Sequence, residues 1–389
     1  AFYTHESAAY AFSIKGITVS LEGGVKGYLR SLNTELPDMP AEIPGETENV
    51  LNTNYLTVYA TPKFEYWVKR VNITLNAPVS FAHYTFDKAL ANRSEVYFSP
   101  SLSMNWKPNN RFSVTLRGGT GRSPMNLNMI QPGYIMTDYR TFSQGVDDFY
   151  NSTSQRVSAS FTYRHTRKGV FANAMVMQSW SHLPYTMSQQ LYGDYIVYSY
   201  TDAKNNGQNM MAMGNVGKTL DFMRGSANLN GTFNRGESHL FSENAAVNSV
   251  SLGWSVGAKI NGAPLRWMSF DYSINFSNSR LKMNGIKNAW LTGMENSLLL
   301  NIMPHSKWEW RVMGEHYRNE LTAGTYKNVF LLDTKLVYKI SKRVELSTML
   351  NNILNQRSYN YTTYSQLSSF ESQRWLRGRE LLFTISLRK

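Results

Sequence analysis

The chain has 389 residues, no cysteine and a formal net charge of +13, and only 17% of its residues are charged. The absence of cysteine excludes disulfide frameworks, thiolate metal sites and cysteine nucleophiles. No stretch approaches the ~18 consecutive apolar residues of a membrane-spanning helix, which excludes a helical membrane protein. The basic residues are scattered along the chain rather than gathered in a run, so we expect no nucleic-acid partner.

Apolar and polar residues alternate along most of the chain, beginning close to the first residue. A period of two predicts β-strands with one apolar and one polar face. Aromatic residues make up 13% of the chain, which suits a barrel that faces lipid outside and water inside. The predicted strands cover residues 8–14, 17–26, 56–65, 71–81, 96–106, 111–117, 156–164, 170–180, 207–216, 223–233, 250–260, 268–277, 298–302, 308–315, 332–340, 344–350 and 381–387.

The connections between these strands alternate between short and long. Short turns are predicted at residues 15–16, 68–70, 107–110, 167–169, 217–218, 261–262, 304–307 and 341–343. Long loops are predicted at residues 30–53, 122–152, 183–206 and 236–249, and before the last strand. Aromatic and basic residues crowd the short turns, as at one rim of a membrane barrel. We therefore predict an all-β, transmembrane, antiparallel up-and-down β-barrel of about 17 strands.

The parity of the strands adds an expectation about domain organisation. The first strand leads into a short turn and the last strand follows a long loop, so both run in the same direction. A bacterial barrel normally has an even number of strands. We therefore expect residues 1–389 to be the C-terminal part of one outer-membrane barrel domain, with an N-terminal plug and the first strands absent. The final strand should pair with the strand at residues 344–350.

Three short motifs carry a resemblance to a known family: Tyr200-Thr201-Asp202-Ala203-Lys204-Asn205, Asn351-Asn352-Ile353-Leu354-Asn355 and Leu382-Phe383-Thr384-Ile385-Ser386-Leu387. They resemble the C-terminal barrel of TonB-dependent outer-membrane receptors, in the branch with a carboxypeptidase-like regulatory domain. The resemblance implies a 22-stranded barrel around a plug, set in the outer membrane of a Gram-negative cell. It also implies TonB as a partner through an N-terminal region.

Charged residues at polar positions of the predicted strands are candidates for contacts with a solute or a plug inside the barrel. A solvated wall with internal salt bridges would use the same residues. The candidates are Arg111, Arg117, Arg156, Arg164, Asp271, Glu309, Arg311, Asp333 and Lys335.

Aromatic residues in the long loops are a second set of candidates, because tyrosine and phenylalanine stack on sugars, planar chelators and peptides. The alternative is packing within the loops themselves. This set is Tyr134, Tyr139, Phe142, Tyr150, Tyr198, Tyr200 and Tyr361.

The sequence contains no pattern typical of a catalytic or metal site. The seven histidines are dispersed, and no HExxH, GxSxG or phosphate loop occurs. A protease site at the outer rim would need Asp147, Asp148 and His182 to converge. The acidic loop at residues 35–48 lacks the ligand spacing of a calcium loop. We expect no enzyme activity, no cofactor and no bound metal.

The preferred hypothesis is an outer-membrane TonB-dependent receptor that imports a nutrient such as a siderophore, glycan or peptide. A passive porin of 16–18 strands is one alternative, and a barrel scaffold in a surface assembly is another. Outer-membrane lipids, lipopolysaccharide and a surface-exposed lipoprotein are the other partners that we expect.

Overall fold

The computed structural model describes residues 2–87, 90–146, 148–364 and 369–387. The chain divides into two compact units. The first unit comprises Ala1–Ser160, Val176–Met210 and Gly236–Ser249, and the second comprises Phe161–Met175, Met211–Arg235 and Val250–Lys389. Among the described residues, the only helical segments are the 3₁₀ turns Leu127–Met129, Thr166–Lys168 and Asp221–Met223. No helix within those ranges has the length and apolarity to cross a membrane.

The remaining regular structure consists of β-strands. The first fourteen are β1 Phe2–Ile14, β2 Ile17–Glu35, β3 Glu48–Val68, β4 Val71–Asn76, β5 Val79–Phe86, β6 Arg93–Phe98, β7 Ser101–Asn109, β8 Phe112–Pro124, β9 Ile135–Asp138, β10 Thr141–Ser143, β11 Asn151–His165, β12 Val170–Leu183, β13 Thr186–Tyr192 and β14 Tyr195–Thr201. The others are β15 Asn205–Leu220, β16 Gly225–Ser242, β17 Ala245–Leu265, β18 Met268–Met283, β19 Ile286–Lys287, β20 Leu291–His305, β21 Trp308–Thr322, β22 Thr325–Lys339, β23 Val344–Asn351, β24 Ser358–Tyr364, β25 Ser369–Trp375 and β26 Glu380–Leu387.

Within the described residues, 24 strands belong to one up-and-down sheet, and β24 pairs only with β25. Five of the 24 are short strands inside connections: β9, β10, β13, β14 and β19. Two further strands are each interrupted in the middle. β4 and β5 form one of them, because both pair with successive stretches of β3. β7 and β6 form the other, because they pair with β4 and β5 respectively. Pro78 lies between β4 and β5, and Pro100 lies between β6 and β7. Proline has no backbone N–H to donate, so strand pairing is interrupted at these residues. Without the five short strands, and with each interrupted strand counted once, the sheet has 17 long strands, here called traverses. The prediction of about 17 antiparallel strands is confirmed.

The register assigns the side chains to two faces, here called the apolar face and the polar face. In the first unit, Val19 lies opposite Phe64 on the apolar face, and Ser20 lies opposite Lys63 on the polar face. In the second unit, Leu300 lies opposite Val312, and Asn301 lies opposite Arg311. Large residues of the apolar face are exposed, as a face bordered by lipid requires.

The last strand behaves as its sequence pattern predicts. β26 pairs antiparallel with β23, with Val344 opposite Leu387 and Leu350 opposite Leu381. On its apolar face, Phe383 is 75% exposed and Ile385 is 69% exposed. Ser347 lies opposite Thr384 on the polar face.

Two predicted short turns are wrong. Asn261 and Gly262 lie inside β17, which continues to Leu265. A Cβ at Gly262 would lie 2.9 Å from the carbonyl oxygen of Met223, so this glycine permits a close backbone approach instead of a turn. Residues 217–218 likewise lie inside β15, and the chain reverses later, at the 3₁₀ turn Asp221–Met223.

Two predicted long loops are also shorter than expected, because the strands that flank them extend further. β2 and β3 remain paired as far as Glu35 and Glu48, which leaves a loop of residues 36–47. β16 and β17 are separated only by Glu243 and Asn244, whose φ angles are 49° and 63°. Strands that extend into water need no apolar face, so their sequences lose the alternation that predicted the rest.

Candidate functional site

The long connections of the first unit fold into one packed structure, here called the loop layer. It consists of residues 36–47, residues 125–150 and the hairpin β13–β14. One of its two cores lies against the polar face of β3, β5 and β6. This core contains Leu51, Ala82, Tyr84, Phe86, Tyr97, Met125, Leu127, Ile130, Val146, Phe149 and Tyr185.

Aromatic residues at polar-face positions prepare this surface for the loop. Tyr28 stacks on Tyr55 with ring centroids 5.3 Å apart, and Tyr55 lies 5.7 Å from Tyr84. Tyr84 contacts Phe149 of the loop at 4.6 Å. These aromatic residues occupy positions on the face that is otherwise polar. The surface that they form is where the loop packs.

Arginine side chains from the strands fix the backbone of the loop layer. Arg30 donates from Nη1 to the carbonyl oxygen of Leu127 at 2.6 Å. Arg93 donates from Nη1 to the carbonyl oxygen of Phe149 at 3.0 Å and forms an ion pair with Asp148 at 3.5 Å. These bonds satisfy carbonyl groups that an irregular segment cannot pair within itself.

Asn49 connects β2, β3 and the loop layer through one buried amide. Its Nδ2 donates to Thr34 Oγ1 at 2.9 Å and to the carbonyl oxygen of Tyr134 at 3.5 Å. Its Oδ1 accepts from the backbone N–H of Gly133 at 2.7 Å. The side chain has no exposed surface, so loss of the amide would leave buried backbone groups unpaired.

A second core joins the three segments of the loop layer to one another. Ile43, Tyr134, Phe142 and Val197 are buried together. β10 pairs parallel with β14, so that Phe142 lies opposite Val197. The hydroxyl of Tyr134 donates to the carbonyl oxygen of Pro44 at 3.1 Å. Burial raises the pKa of the Tyr134 phenol, and nearby Tyr192 adds to the rise.

The structure places the loop aromatics of the sequence prediction in three settings. Tyr134 and Phe142 are buried, with 5% and 1% of their surface exposed. Tyr139 lies at the tip between β9 and β10, is 77% exposed, and carries the Arg140 guanidinium 5.3 Å above its ring. The half-buried members are Tyr150, Tyr198, Tyr200 and Tyr361.

A hydrogen-bonded cluster that the sequence did not single out lies on the polar face of β1–β3. The hydroxyl of Tyr59 donates to Glu22 Oε1 at 2.8 Å and lies 2.7 Å from His5 Nε2. The ammonium of Lys26 lies 4.7 Å above the Tyr59 ring. A Cβ at Gly24 would lie 2.9 Å from that ring, so the glycine allows the tyrosine to lie across the sheet. Tyr59 and His5 are separated by 54 residues, and only the register brings them together.

The predicted arginines of the first strands occupy different settings. Arg111 lies in the turn between β7 and β8, where its backbone N–H donates to Asn109 Oδ1 at 2.8 Å. Arg117 lies opposite Ser103 on the polar face and is exposed. Arg156 and Arg164 are exposed residues of β11, and the Arg164 guanidinium lies 5.7 Å above the Phe171 ring.

Two pairs of opposite charge on the polar face of the second unit include predicted candidates. Lys259 Nζ lies 2.9 Å from Asp271 Oδ2. Arg311 donates to Glu309 at 2.6 Å. Lys335 lies opposite Arg311, and Asp333 accepts from the backbone N–H of Asn352 at 2.6 Å. This part of the polar face therefore carries ion pairs as well as two cations that lie opposite each other, as a solvated wall or a polar docking surface would.

The last hairpin, β24–β25, contacts the polar face of β21. Asn319 donates from Nδ2 to the carbonyl oxygen of Asn360 at 3.1 Å. The Tyr317 and Tyr359 rings meet edge to face at 5.3 Å, and Tyr361 lies 5.7 Å from Tyr359. A hydrogen bond with Ser372 lowers the pKa of the Tyr361 phenol, and the positive charge of Arg374, whose guanidinium lies 5.7 Å above the ring, lowers it further.

Two residues of the protease alternative have partners outside the proposed set. Asp148 pairs with Arg93, and His182 Nδ1 lies 2.9 Å from Asn206 Oδ1. Asp147 lies outside the described residues. No group of three or more His, Asp or Glu side chains that could hold a metal ion occurs in the described ranges.

No family model matches the chain, and no curated protein matches it. Solved structures resemble it in arrangement. The copper transporter OprC is 10% identical with a TM-score of 0.44, and the match covers 99% of this chain and 65% of that protein. The closed form of the ferric-catecholate import receptor Fiu from K12 E. coli is 8% identical with a TM-score of 0.35, over 99% and 74%. The ferric enterobactin receptor PfeA from Pseudomonas aeruginosa is 7% identical with a TM-score of 0.33, over 99% and 78%.

Proposed function

We propose that residues 1–389 belong to the β-barrel of an outer-membrane TonB-dependent receptor that imports a nutrient. The observation that carries this proposal is the division of the sheet into an exposed apolar face and a polar face along 17 traverses. Strands with these two faces suit a wall between lipid and water. The long connections at residues 36–47 and 125–150 lie at the strand ends opposite the short turns that follow β1, β3 and β7, as extracellular loops lie opposite periplasmic turns in such barrels.

The packed loop layer supports a receptor more than an open pore. It covers part of the polar face in the first unit and is held by Arg30, Arg93 and Asn49. Its exposed tip presents the Tyr139 ring and the Arg140 guanidinium together. An aromatic ring next to a cation suits a planar or anionic ligand, such as a metal chelate or an acidic glycan. TonB would supply energy, and the paired charges of the polar face would contact the solute or a plug.

Uptake measurements on a strain lacking this gene test the proposal. We expect growth on one nutrient of a siderophore, glycan and peptide panel to fail in the deletion strain and to return with the wild-type gene. Restoration should require TonB and a proton gradient. If uptake persists without TonB and the purified protein makes liposomes permeable to small solutes, the protein is a passive porin.

Alanine substitutions at two exposed tyrosines provide the site-specific test. Tyr139→Ala should weaken uptake of that nutrient at limiting concentration, because it removes the exposed ring of the loop layer. Tyr10→Ala is the control, since Tyr10 is 71% exposed on the apolar face. Equal uptake by both variants would remove Tyr139 from the proposed ligand site. A surface scaffold would instead retain a lipoprotein partner in pull-down, with no uptake defect on deletion.

A further inference from the structure

The apolar face of the second unit carries a group of cations at the loop end of β18 and β19, here called the cationic cluster: Arg280, Lys282 and Lys287. Lys282 lies directly opposite Lys287 in the β18–β19 pair. The turn between them, Asn284–Gly285, has φ angles of 46° and 88°, which suit a two-residue hairpin. Arg280 precedes Lys282 by two residues and therefore shares its face.

Like charges directly opposite each other destabilise a strand pair. None of the three cations forms an ion pair with the residues that the structure describes. The acid on the same face of β21, Glu320, accepts instead from the backbone N–H groups of Thr292 and Gly324, at 3.0 and 2.8 Å. The cationic cluster therefore lacks a neutralising anion from the described chain.

Aromatic rings hold the arginines of this face in place. The Arg280 guanidinium lies 4.4 Å above the Trp290 ring, and the Arg318 guanidinium lies 4.2 Å above the Tyr326 ring. A guanidinium stacked on a ring keeps its N–H edge directed outwards, where it can donate two parallel hydrogen bonds to a phosphate. Lys287 and Arg318 are exposed, so the loop ends of these strands are accessible on this face.

The spacing along the strands sets the height of these cations. Ten residues separate Trp308, beside the short turn, from Arg318, which is about 33 Å of strand. At a strand tilt of about 40° this is about 25 Å along the membrane normal, the height of the apolar band of a barrel. Twelve residues separate Met268 from Arg280, about 30 Å by the same conversion. The cationic cluster would thus lie at the level of lipid head groups, on the loop side.

We propose that the cationic cluster, flanked by Arg318, binds the phosphate groups of lipopolysaccharide in the outer leaflet. This inference rests on the proposed function, because only a chain set in the outer membrane brings its apolar face against that lipid. Phosphate would fit between Lys282 and Lys287 and receive the guanidinium edge of Arg280. Binding would also remove the repulsion between the two lysines.

The test begins with protein extracted in mild detergent from the outer membrane of a Gram-negative host. Native mass spectrometry counts the lipopolysaccharide molecules that each protein retains. We expect the variant Arg280→Gln, Lys282→Gln, Lys287→Gln to retain less than about a tenth of the wild-type amount. The matched control is Lys307→Gln, Lys342→Gln, Arg343→Gln, which removes three cations from the short turns and should retain the wild-type amount.

A second arm identifies the phosphate as the recognised group. Delipidated wild-type protein in detergent micelles is titrated with bis-phosphorylated lipid A and with its dephosphorylated form. We expect the phosphorylated lipid to bind at least about tenfold more tightly, and the triple glutamine variant to bind both forms alike. Equal binding of the two lipids by the wild-type protein would overturn the inference, as would equal retention by the triple variant.

Heat-modifiable migration of the extracted protein separates this failure from failure of the proposed function. A chain that never reaches the outer membrane as a folded barrel contradicts the proposed function. A folded barrel without phosphate preference contradicts only the lipid site. Should the triple variant not fold, the single variant Lys287→Gln, at an exposed turn residue, gives the same comparison.

Discussion

At the scale of single residues, one buried amide controls the attachment of the loop layer. Asn49 satisfies two backbone groups of residues 125–150 and one hydroxyl of β2. Nothing in the local sequence marks this asparagine, because its two backbone partners lie 84 and 85 residues further along the chain. Only the packing of the loop against β2 and β3 reveals its role.

Asn49→Ala should loosen the loop layer without unfolding the sheet. The variant leaves the Gly133 N–H buried and unpaired, at a cost of about 1–3 kcal/mol. Peptides from residues 125–150 should then exchange amide hydrogen about 5- to 150-fold faster. Asn33→Ala, at an exposed position of β2, is the control. Unchanged protection in Asn49→Ala would contradict the proposed anchoring role.

Tyr134 gives the loop layer a dependence on alkaline pH. Its pKa is raised by burial, so the folded protein favours the neutral phenol. The contribution to stability is complete below about pH 10, the pKa of an unfolded tyrosine, and is lost as the pH rises through the folded pKa. The difference in phenolate absorbance between wild type and Tyr134→Phe isolates this group. We expect its midpoint above about pH 10, and a midpoint at or below that value would contradict its burial.

At the scale of elements, the strands with an apolar face were predictable and the loop layer was not. Alternation in residues 344–350 and 381–387 predicts both β23 and β26, and their pairing follows from sequence order. The glycine and asparagine at residues 261–262 gave a false turn, because a residue without Cβ serves close packing as well as a turn. The hairpin β13–β14 and its parallel contact with β10 depend on tertiary packing, which no local pattern encodes.

The register of the last strand pair can be tested by crosslinking, which the absence of native cysteine makes straightforward. Ser347→Cys with Thr384→Cys joins residues that lie opposite each other on the polar face. Cβ atoms of opposite residues lie about 4.5–5.5 Å apart, close enough for mild oxidation to form a disulfide. Ser347→Cys with Ile385→Cys is the control, since the two side chains point to opposite faces. A crosslink in the control alone would mean that the register is shifted by one residue.

At the scale of the whole molecule, the two-faced sheet is the feature that connects sequence to function. The division into faces was predictable because side chains of a strand point alternately to its two faces, so one apolar and one polar face give a strict period of two. The ion pairs of the polar face, and the hydrogen bonds that hold the loop layer to it, were not predictable, because solvated positions tolerate many side chains. Candidate residues could therefore be assigned to a face, but their partners could not.

The most direct test of the central claim compares two neighbouring residues of β20. Leu298 is 42% exposed on the apolar face, and Ser297 bonds to Ser273 on the polar face at 2.8 Å. If the apolar face borders lipid, Leu298→Arg should cost about 2–4 kcal/mol of folding free energy in the bilayer, and Ser297→Arg much less. Folding into lipid vesicles, titrated with urea, measures both. If Leu298→Arg leaves the folding free energy unchanged, or if both variants lose the same amount, the result would contradict an outer-membrane barrel.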